Sequence, residues 1–516
     1  MARVFPETQP AVSPLMLDPE SQLDPRRPEP RHFVALIVIT AAVALALGVM
    51  LRQSSMIGAN DISRWCTVWS LLERGSYIID ECPWLVDTQD KVYRVSKSEN
   101  AGPEPVKHYY SSKPALLSTL IAGLLYPARR LTGIPLDRVV LQEREERWVQ
   151  KVDESAPGKV KGVLEKPKDL VKWPAHVFYF KAVLLLLNIL PFCLFLILYS
   201  RVLDRYAGND WAWFFSLVAA ALGTYLLPFT QTLNNHTVAA FSAFFALYHF
   251  LRIWDEVKLS GWRFAAVGFC AAFTEVNELP ALSFLGLIAG LLLLRYPRQT
   301  LLCLVPAALV PIAAAVAAQH AAVGELKLVY TEFGTESYLW EGSLWKTPLE
   351  LDSLSLPWFD PQEAARRGIT GESHGLYLFH MTLGHHGFWS LTPIFFFSLV
   401  GLGRLLRRVG EPMAAVAWMT TVLTIVLLAF YTWNPLARNY GGSTQGLRWF
   451  FWLIPFWLLV LPKGVETGQY RGWVRWLSLL ALSVSVISVG YALRNPWTHP
   501  WILDALEHLG SYCLPR

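Results

Sequence analysis

Long apolar runs separated by short polar segments recur along most of the chain. The first covers residues 33–51, and the later ones lie at 177–200, 211–230, 236–251, 263–280, 281–294, 300–320, 388–403, 411–430, 448–462 and 474–492. Runs of roughly 17 to 25 apolar residues are typical of transmembrane helices. Because backbone polar groups in a bilayer must be satisfied within the helix, the pattern predicts an all-α integral membrane protein. We expect a polytopic helical bundle of about 11 (10–13) spans.

The composition agrees with this class. Of the 516 residues, 53% are hydrophobic and 16% are charged, compared with roughly 25% charged in a typical soluble domain. The formal net charge of +5 comes largely from Lys and Arg in short loops between the runs. That distribution reflects membrane insertion and requires no nucleic-acid partner, so membrane lipids are the expected surroundings. There is also no internal repeat of the kind that transporters show.

The runs divide the chain into four predicted parts. Residues 1–32, rich in Pro, Glu and Arg, are predicted to be a disordered cytoplasmic tail, and the run that follows is predicted to be an uncleaved first span. Residues 33–320 form a transmembrane core with a long outer loop, 52–176, that carries interfacial helices. Residues 321–387 form another outer loop, and 388–516 hold the C-terminal transmembrane helices and an outer tail.

The distribution of basic residues predicts the orientation. Arg26, Arg27 and Arg31 precede the first run, which places the N-terminus inside by the positive-inside rule. The segment 116–127 is short for a span, and if it does not cross, the later basic loops also fall inside. If 115–133 crossed, those loops would lie outside, so we expect the first scheme. The outer side then includes 52–176, 234–236, 321–387 and 433–448.

The six cysteines show no metal-binding spacing. Cys193, Cys270 and Cys303 lie inside apolar runs and are expected to pack there. Cys66 and Cys82 share the first outer loop, and Cys513 is near the end of the chain. The sequence does not decide whether two of these three cysteines form a disulfide.

The stretch after the first run begins Asn-Asp-Ile-Ser-Arg at 60–64. Ile62, Trp65 and Trp69 recur near helical spacing, so the segment up to 74 is predicted to be a short amphipathic helix in the outer interface, ended by Gly75. Asp61 and Arg64 are three residues apart and emerge on the same side of such a helix. Either Asp61 caps the helix and Arg64 faces headgroups, or the two take part in chemistry.

A second polar motif, Tyr-Ser-Ser-Lys-Pro at 110–114, precedes the short apolar segment. Pro114 is a normal helix start. Lys113 could extend its ammonium group to the interface from that helix. Alternatively, it could hold a lipid phosphate, for which Lys is a suitable point charge, while Arg binds phosphate through two parallel hydrogen bonds.

Together the two motifs, D-x-x-R and aromatic-x-x-K-P, resemble the GT-C superfamily of membrane glycosyltransferases. The branch that they resemble contains aminoarabinose transferases, protein O-mannosyltransferases and bacterial RgtA/B/C/D-like glycosyltransferases. The residues that carry the resemblance are Asp61, Arg64, Tyr110, Lys113 and Pro114, and it extends over 33–320. It implies that 33–320 is a catalytic core that moves a sugar from a polyprenyl-phosphate donor to a lipid, glycan or protein acceptor. The implied location is the outer face of the bacterial cytoplasmic (inner) membrane.

The resemblance also implies roles for individual residues. Asp61 would be the general base, while Arg64 and Lys113, with Tyr110, would bind the donor phosphate. Members of the superfamily often carry an acid in the second outer loop, where this chain has Asn235 and its neighbours. An Asn cannot replace a carboxylate base, so a two-acid or metal-bridged site is left open. No cofactor is certain, and use of a divalent metal is also left open.

Further candidates lie near the outer ends of the runs. Possible acceptor or metal-site residues are Asn235, His236, Glu278, His385 and His386. A buried polar network explains Glu278 equally well, and interfacial capping explains the histidine pair better. Arg448 is a second candidate for binding the donor phosphate, or an Arg–Trp interface anchor.

Three other interpretations complete the prediction. Asp87 and Asp90 are expected to be solvated loop acids, and 136–173, with Glu143 and Arg147 at helical spacing, is expected to be a solvated helix and linker. The aromatic-rich loop 321–387 could cover an acceptor site. The alternatives to a glycosyltransferase are a lipid or sugar transporter or flippase, and a non-catalytic scaffold of GT-C-like architecture.

Overall fold

The fold is described from a computed structural model. The described residues are 30–95, 106–143, 147–152, 160–165, 170–255, 259–326, 329, 336–338, 340–343, 373–433 and 440–511, without the side chains of 140–173. The predicted tail up to residue 29, most of the 321–387 loop and Cys513 lie outside this set.

Helices make up most of the described residues. In chain order they are α1 (Pro30–Arg52), α2 (Ala59–Glu73), α3 (Ala115–Thr132), α4 (Ala175–Tyr206), α5 (Asp210–Phe229), α6 (Asn235–Asp255), α7 (Gly261–Asn277), α8 (Leu279–Arg295), α9 (Pro297–Val323), α10 (His374–Thr382), α11 (Ile394–Leu405), α12 (Pro412–Trp433), α13 (Arg448–Gln469), α14 (Gly472–Ala492) and α15 (Trp501–His508). A single turn, Phe388–Leu391, precedes α11.

Eight of the described helices are long and apolar enough to cross a membrane: α1, α4, α5, α6, α9, α12, α13 and α14. Each coincides with a predicted run, so the protein is a multi-pass helical membrane protein. The other three predicted runs fall on α7, α8 and α11, which have 17 residues or fewer. The expected count of eleven spans is therefore not confirmed.

Helix α3 occupies the short apolar segment that we expected not to cross. It has 18 residues with Pro127 inside it, and it is not among the eight candidate spans. Near its C-terminal end, Arg129 forms a 2.8 Å ion pair with Glu73 of α2. Because this pair joins the two helices, α3 lies against α2.

Short antiparallel hairpins interrupt the first predicted outer loop. Strand β1 (Lys91–Val95) pairs with β2 (Lys107–Ser111), β3 (Val139–Glu143) with β6 (Leu170–Pro174), and β4 (Arg147–Val152) with β5 (Val160–Glu165). The helix predicted around Glu143 is therefore wrong. β-Branched Val residues fill these strands, and their preference for extended backbone outweighs the helical spacing of the charges.

The two ends of the bundle differ in chemistry. Helix α6 has 21 residues, so its ends lie about 30 Å apart, close to the thickness of a bilayer core. Asp255 at its C-terminal end pairs with Arg205 at 2.6 Å, whereas Asn235 at its N-terminal end contacts Arg64 of α2. Further basic contacts link the loops at the Asp255 end: Arg31–Asp210, Arg404–Glu466, Lys463–Glu466 and Arg475–Gly468.

The described cysteines are all free thiols. Cys66 and Cys82, which share the first predicted outer loop, are both buried. Their side chains are hydrogen-bonded, and this contact together with burial raises the pKa of the Cys66 thiol. Cys66 and Cys82 therefore do not form the disulfide that the sequence had left undecided.

Candidate functional site

Helix α2 carries the first motif to the Asn235 end of the bundle. It begins after Gly58, whose backbone N–H donates to the Asp61 side chain at 3.2 Å, and it ends before Gly75, whose φ is 68°. The C-terminal end agrees with the sequence prediction, whereas the helix begins two residues before Asp61, which occupies its third position. The helix is more enclosed than an interfacial helix would be, because its residues from Ser63 to Ser70 are buried. Helix α3 and strand β2 cover it.

Asp61 is completely buried, and within the described part of the chain its carboxylate accepts hydrogen bonds from three N–H groups. Its Oδ1 accepts from the Leu233 backbone at 2.9 Å, and its Oδ2 accepts from Gly58 and from Trp497 Nε1 at 3.3 Å. Burial raises the pKa of Asp61 to about 7, although these donors and Arg64 lower it. Asp61 therefore caps its helix as the first interpretation expected, and it also joins α2 to two distant segments.

Arg64 connects α2 to the start of α6. Its Nη2 donates to Asn235 Oδ1 at 2.5 Å, and its Nη1 donates to Asn60 Oδ1 at 3.1 Å. No described residue accepts a hydrogen bond from its buried Nε. Burial lowers the pKa of Arg64 to about 10, so the guanidinium group is cationic at neutral pH. Buried N–H groups without a partner are costly, and an anionic ligand would satisfy them.

Lys113 pairs with Asp90, which corrects the prediction that Asp90 is a solvated loop acid. Lys113 Nζ lies 3.0 Å from Asp90 Oδ2, and each side chain is less than one-fifth exposed. The Asp90 carbonyl accepts hydrogen bonds from Ser63 Oγ at 2.5 Å and from Ser112 N at 3.1 Å. Because α2 and the residue that follows β2 both hold its backbone, the carboxylate is fixed at the site. Burial lowers the pKa of Lys113 to about 8, and Asp90 opposes this effect.

Arg448 is the third cation of the site. It begins α13, and its guanidinium carbon lies 5.3 Å from the centre of the Trp497 ring. Among the described residues it has no hydrogen-bond or ion-pair partner at Nε. A Cβ on Gly441 would lie 2.8 Å from that Nε, and φ of Gly441 is +98°, so only glycine allows this close approach.

These three cations form one electrostatic group. Lys113 is repelled by both Arg64 and Arg448, and Arg64 is repelled by Arg448. Asp90 attracts all three. We call Arg64, Lys113 and Arg448 the cation cluster.

A polar network lies beside the cation cluster at the start of α6. Asn235 Nδ2 donates to Glu278 Oε1 and to the Asn277 carbonyl, both at 2.8 Å, and the same Oε1 contacts His236 Nδ1. Glu278 is 5% exposed. Arg64 also donates to Asn235, so this network, which contains the predicted acceptor residues, is directly connected to the cation cluster.

Tyr110 lines a shallow cleft next to Lys113. It pairs with Val92 across the β1–β2 hairpin and packs near Tyr338. The cleft is also lined by Tyr77, which follows α2, and by Gln319 of α9. Tyr110 is therefore both part of a small aromatic core and a wall of the cleft.

His385 and His386 pack among other histidine and aromatic side chains. His385 stacks on His380 at 3.9 Å, and His386 stacks on Tyr440 at 4.6 Å. Burial, and then the neighbouring histidines, lower the pKa of His385 to about 3, so it is neutral at pH 7. No group of three His, Cys, Asp or Glu side chains in the described part of the chain is arranged to hold a metal ion.

No protein-family model matches the chain, and no curated protein sequence matches it either. The GT-C resemblance therefore depends on the two short motifs alone.

Sequence reasoning missed two residues of the site. Asp90 is a single acid in a polar stretch, and nothing local indicates that its carboxylate faces Lys113. Trp497 lies 436 positions from the Asp61 that it contacts, in the tail to which we assigned no role. The local signal is the pattern of three aromatic or histidine side chains in 497–501, which a membrane surface explains equally well.

Proposed function

We propose that this protein is a membrane glycosyltransferase that moves a sugar from a polyprenyl-phosphate donor to a hydroxyl group of an acceptor. The observation that carries the proposal is the cation cluster. Arg64, Lys113 and Arg448 come from distant parts of the chain and meet around Asp90, whose carboxylate attracts all three. Asp61 also attracts Arg64, and Glu278 attracts both Arg64 and Arg448. Buried like charges repel, so such a group is stabilised when it binds an anion.

The proposed reaction uses these charges at the leaving group. The acceptor oxygen bonds to the anomeric carbon while the bond from that carbon to the phosphate oxygen breaks. The electron pair goes to the phosphate, which becomes polyprenyl phosphate, and the acceptor proton goes to a carboxylate. Because negative charge grows on the phosphate during this step, fixed cations stabilise the transition state more than the bound donor.

Asp61 is the proposed general base. A pKa of about 7 suits a group that takes a proton at neutral pH. The acceptor hydroxyl would approach Asp61 Oδ2, whose contact with Trp497 Nε1 is long, at 3.3 Å. In the same proposal Asp90 is the counter-ion of Lys113 before the donor binds, and the donor phosphate then replaces the Asp90 carboxylate as the partner of Lys113.

Three of the other predicted site residues are assigned to the acceptor side. Asn235, His236 and Glu278 adjoin Arg64, and amide, imidazole and carboxylate groups are suitable partners for sugar hydroxyls. The acceptor is proposed to be a lipid, a glycan or a protein.

The site is proposed to face outward in a bacterial inner membrane. Basic loops gather at the opposite end of the bundle, and basic loops favour the cytoplasmic side. Polyprenyl-phosphate sugars would then reach the cation cluster from the outer leaflet.

A transfer assay tests this function. Purified protein in detergent is mixed with a radiolabelled polyprenyl-phosphate sugar and a membrane lipid extract, and labelled product is measured. We expect Asp61→Asn and Lys113→Gln each to lower turnover at least about 100-fold. Asp87→Asn and Lys107→Gln, which change exposed residues near the site, serve as matched controls and keep wild-type turnover. Full activity of Asp61→Asn would refute its role as base.

The complete burial of Asp61 favours one second candidate, a non-catalytic protein that binds lipid phosphate. The same assay separates the two functions. Binding of polyprenyl phosphate without turnover of any donor sugar would support the second candidate.

A further inference from the structure

The segment after α14 folds back across the site. The Gln445 backbone N–H donates to the Pro496 carbonyl at 3.0 Å, and Gln445 Nε2 donates to Thr498 Oγ1 at 2.8 Å. Gln53, just beyond α1, donates to the Arg494 carbonyl at 2.9 Å. These contacts fasten the segment to the loop before α13 and to the end of α1.

Trp497 is the residue of this segment that enters the site. Its Nε1 donates to Asp61, the face of its ring lies under Arg448, and the ring packs nearly perpendicular to Phe229 with ring centres 5.4 Å apart. The indole therefore uses its edge for the carboxylate and its face for the guanidinium group.

The surroundings of Trp497 leave little space. A Cβ on Gly58 would lie 2.5 Å from Trp497 Cδ1, so the N-terminus of α2 can approach the indole only because residue 58 is glycine. Gly441 lies close to the Arg448 side chain, where an added Cβ would be 2.8 Å from Nε. Glycines therefore lie next to both the indole and the guanidinium group that stacks on it.

We infer that Trp497 is a positioning residue, which holds the Arg448 guanidinium group and the Asp61 carboxylate in the arrangement that binds a lipid phosphate. The inference rests on the proposed function for the identity of the ligand. Arg448 makes no hydrogen bond to a described side chain through Nε, so stacking on the indole is what orients it. Stacking uses none of the N–H donors, which stay available to an anion.

Two substitutions separate the two contacts. Trp497→Phe keeps an aromatic face and removes the N–H donor, whereas Trp497→Leu removes both. Trp501→Phe is the matched control, because Trp501 is in the same segment and its Nε1 donates to Ser488 Oγ at 2.9 Å, away from the cation cluster. The full-length variants are measured in detergent.

The first measurement is the affinity for polyprenyl monophosphate in micelles, by isothermal titration calorimetry. We expect Trp497→Leu to weaken binding about 3- to 30-fold, and Trp497→Phe to weaken it less. Trp501→Phe should bind as wild type does. Unchanged affinity in Trp497→Leu, or an equal loss in Trp501→Phe, would overturn the inference.

The second measurement needs no ligand. The Trp497 hydrogen bond lowers the pKa of Asp61, so removing it should raise that pKa. The melting temperature is measured as a function of pH, and its change due to Asp61 should occur at a higher pH in Trp497→Phe than in Trp501→Phe. If wild type binds no polyprenyl phosphate, the proposed function fails and the Arg448 part of the inference fails with it. The pH shift would then still support the contact with Asp61, and no shift would refute that contact too.

Discussion

Replacing Asp90 by Asn removes the only carboxylate that pairs with Lys113 among the described residues, with almost no change in side-chain shape. If Asp90 is the counter-ion that a donor phosphate displaces, this substitution should strengthen the binding of lipid phosphate. The expectation is unusual because most substitutions in a binding site weaken it.

The size of the effect follows from the geometry of the pair. The two charged atoms are 3.0 Å apart, and the side chains are 18% and 19% exposed. Exposed ion pairs contribute up to about 1 kcal/mol, whereas breaking a buried pair costs about 3 to 5 kcal/mol. We take about 1 to 2 kcal/mol for this partly buried pair, which corresponds to about 5- to 30-fold tighter binding.

A double-mutant cycle measures the coupling. The dissociation constant of polyprenyl monophosphate is determined in detergent for wild type, Asp90→Asn, Lys113→Gln and the double variant. Asp90→Asn should bind more tightly than wild type, and Lys113→Gln should bind more weakly. In the Lys113→Gln background the Asp90 substitution should have a clearly smaller effect. Asp87→Asn, an exposed acid three residues away, should bind as wild type does.

Two results would contradict this argument. Weaker binding by Asp90→Asn would mean that the carboxylate helps to form the phosphate site and does not compete for it. An equal effect of Asp90→Asn with and without Lys113 would mean that the two residues act independently, contrary to their contact.

The remaining predictions concern the third cation, the buried acid and the orientation. Arg448→Lys should raise the KM for the donor sugar about 10-fold, because Lys cannot bind phosphate bidentately. Arg475→Lys, which changes a guanidinium group stacked on Trp211 at the other end of the bundle, should leave that KM unchanged. For Asp61, burial moves the pKa from 3.8 to about 7. The stability that this group contributes is present below about pH 4 and is lost as the pH rises to 7. Asp61→Asn should therefore flatten the fall in melting temperature between pH 4 and 7, and an unchanged profile would contradict the assignment. A cysteine at Gln150 should react with an impermeant maleimide added outside intact cells, and one at Arg407 should not. The opposite pattern would invert the proposed orientation, and unsubstituted protein measures background labelling.

The sequence alone determined the helices and the first motif. The eight candidate spans coincide with predicted apolar runs, because a segment that lies in lipid must satisfy its backbone within itself and show an apolar surface. Helix α2 ends before the glycine that was expected to end it, because capping depends on neighbouring residues. These features are local, so a single stretch of sequence contains the information.

Only the tertiary structure decided which side chains meet. Asp90 was predicted to be solvated, yet Ser63 and Ser112 hold its backbone so that the carboxylate reaches Lys113. Glu143 and Arg147, whose spacing predicted a helix, lie instead in strands whose partners, 170–174 and 160–165, are further along the chain. Trp497 reaches Asp61 across 436 positions. Such contacts depend on how helices pack. The spacing of residues within one segment does not indicate a partner that lies hundreds of positions away.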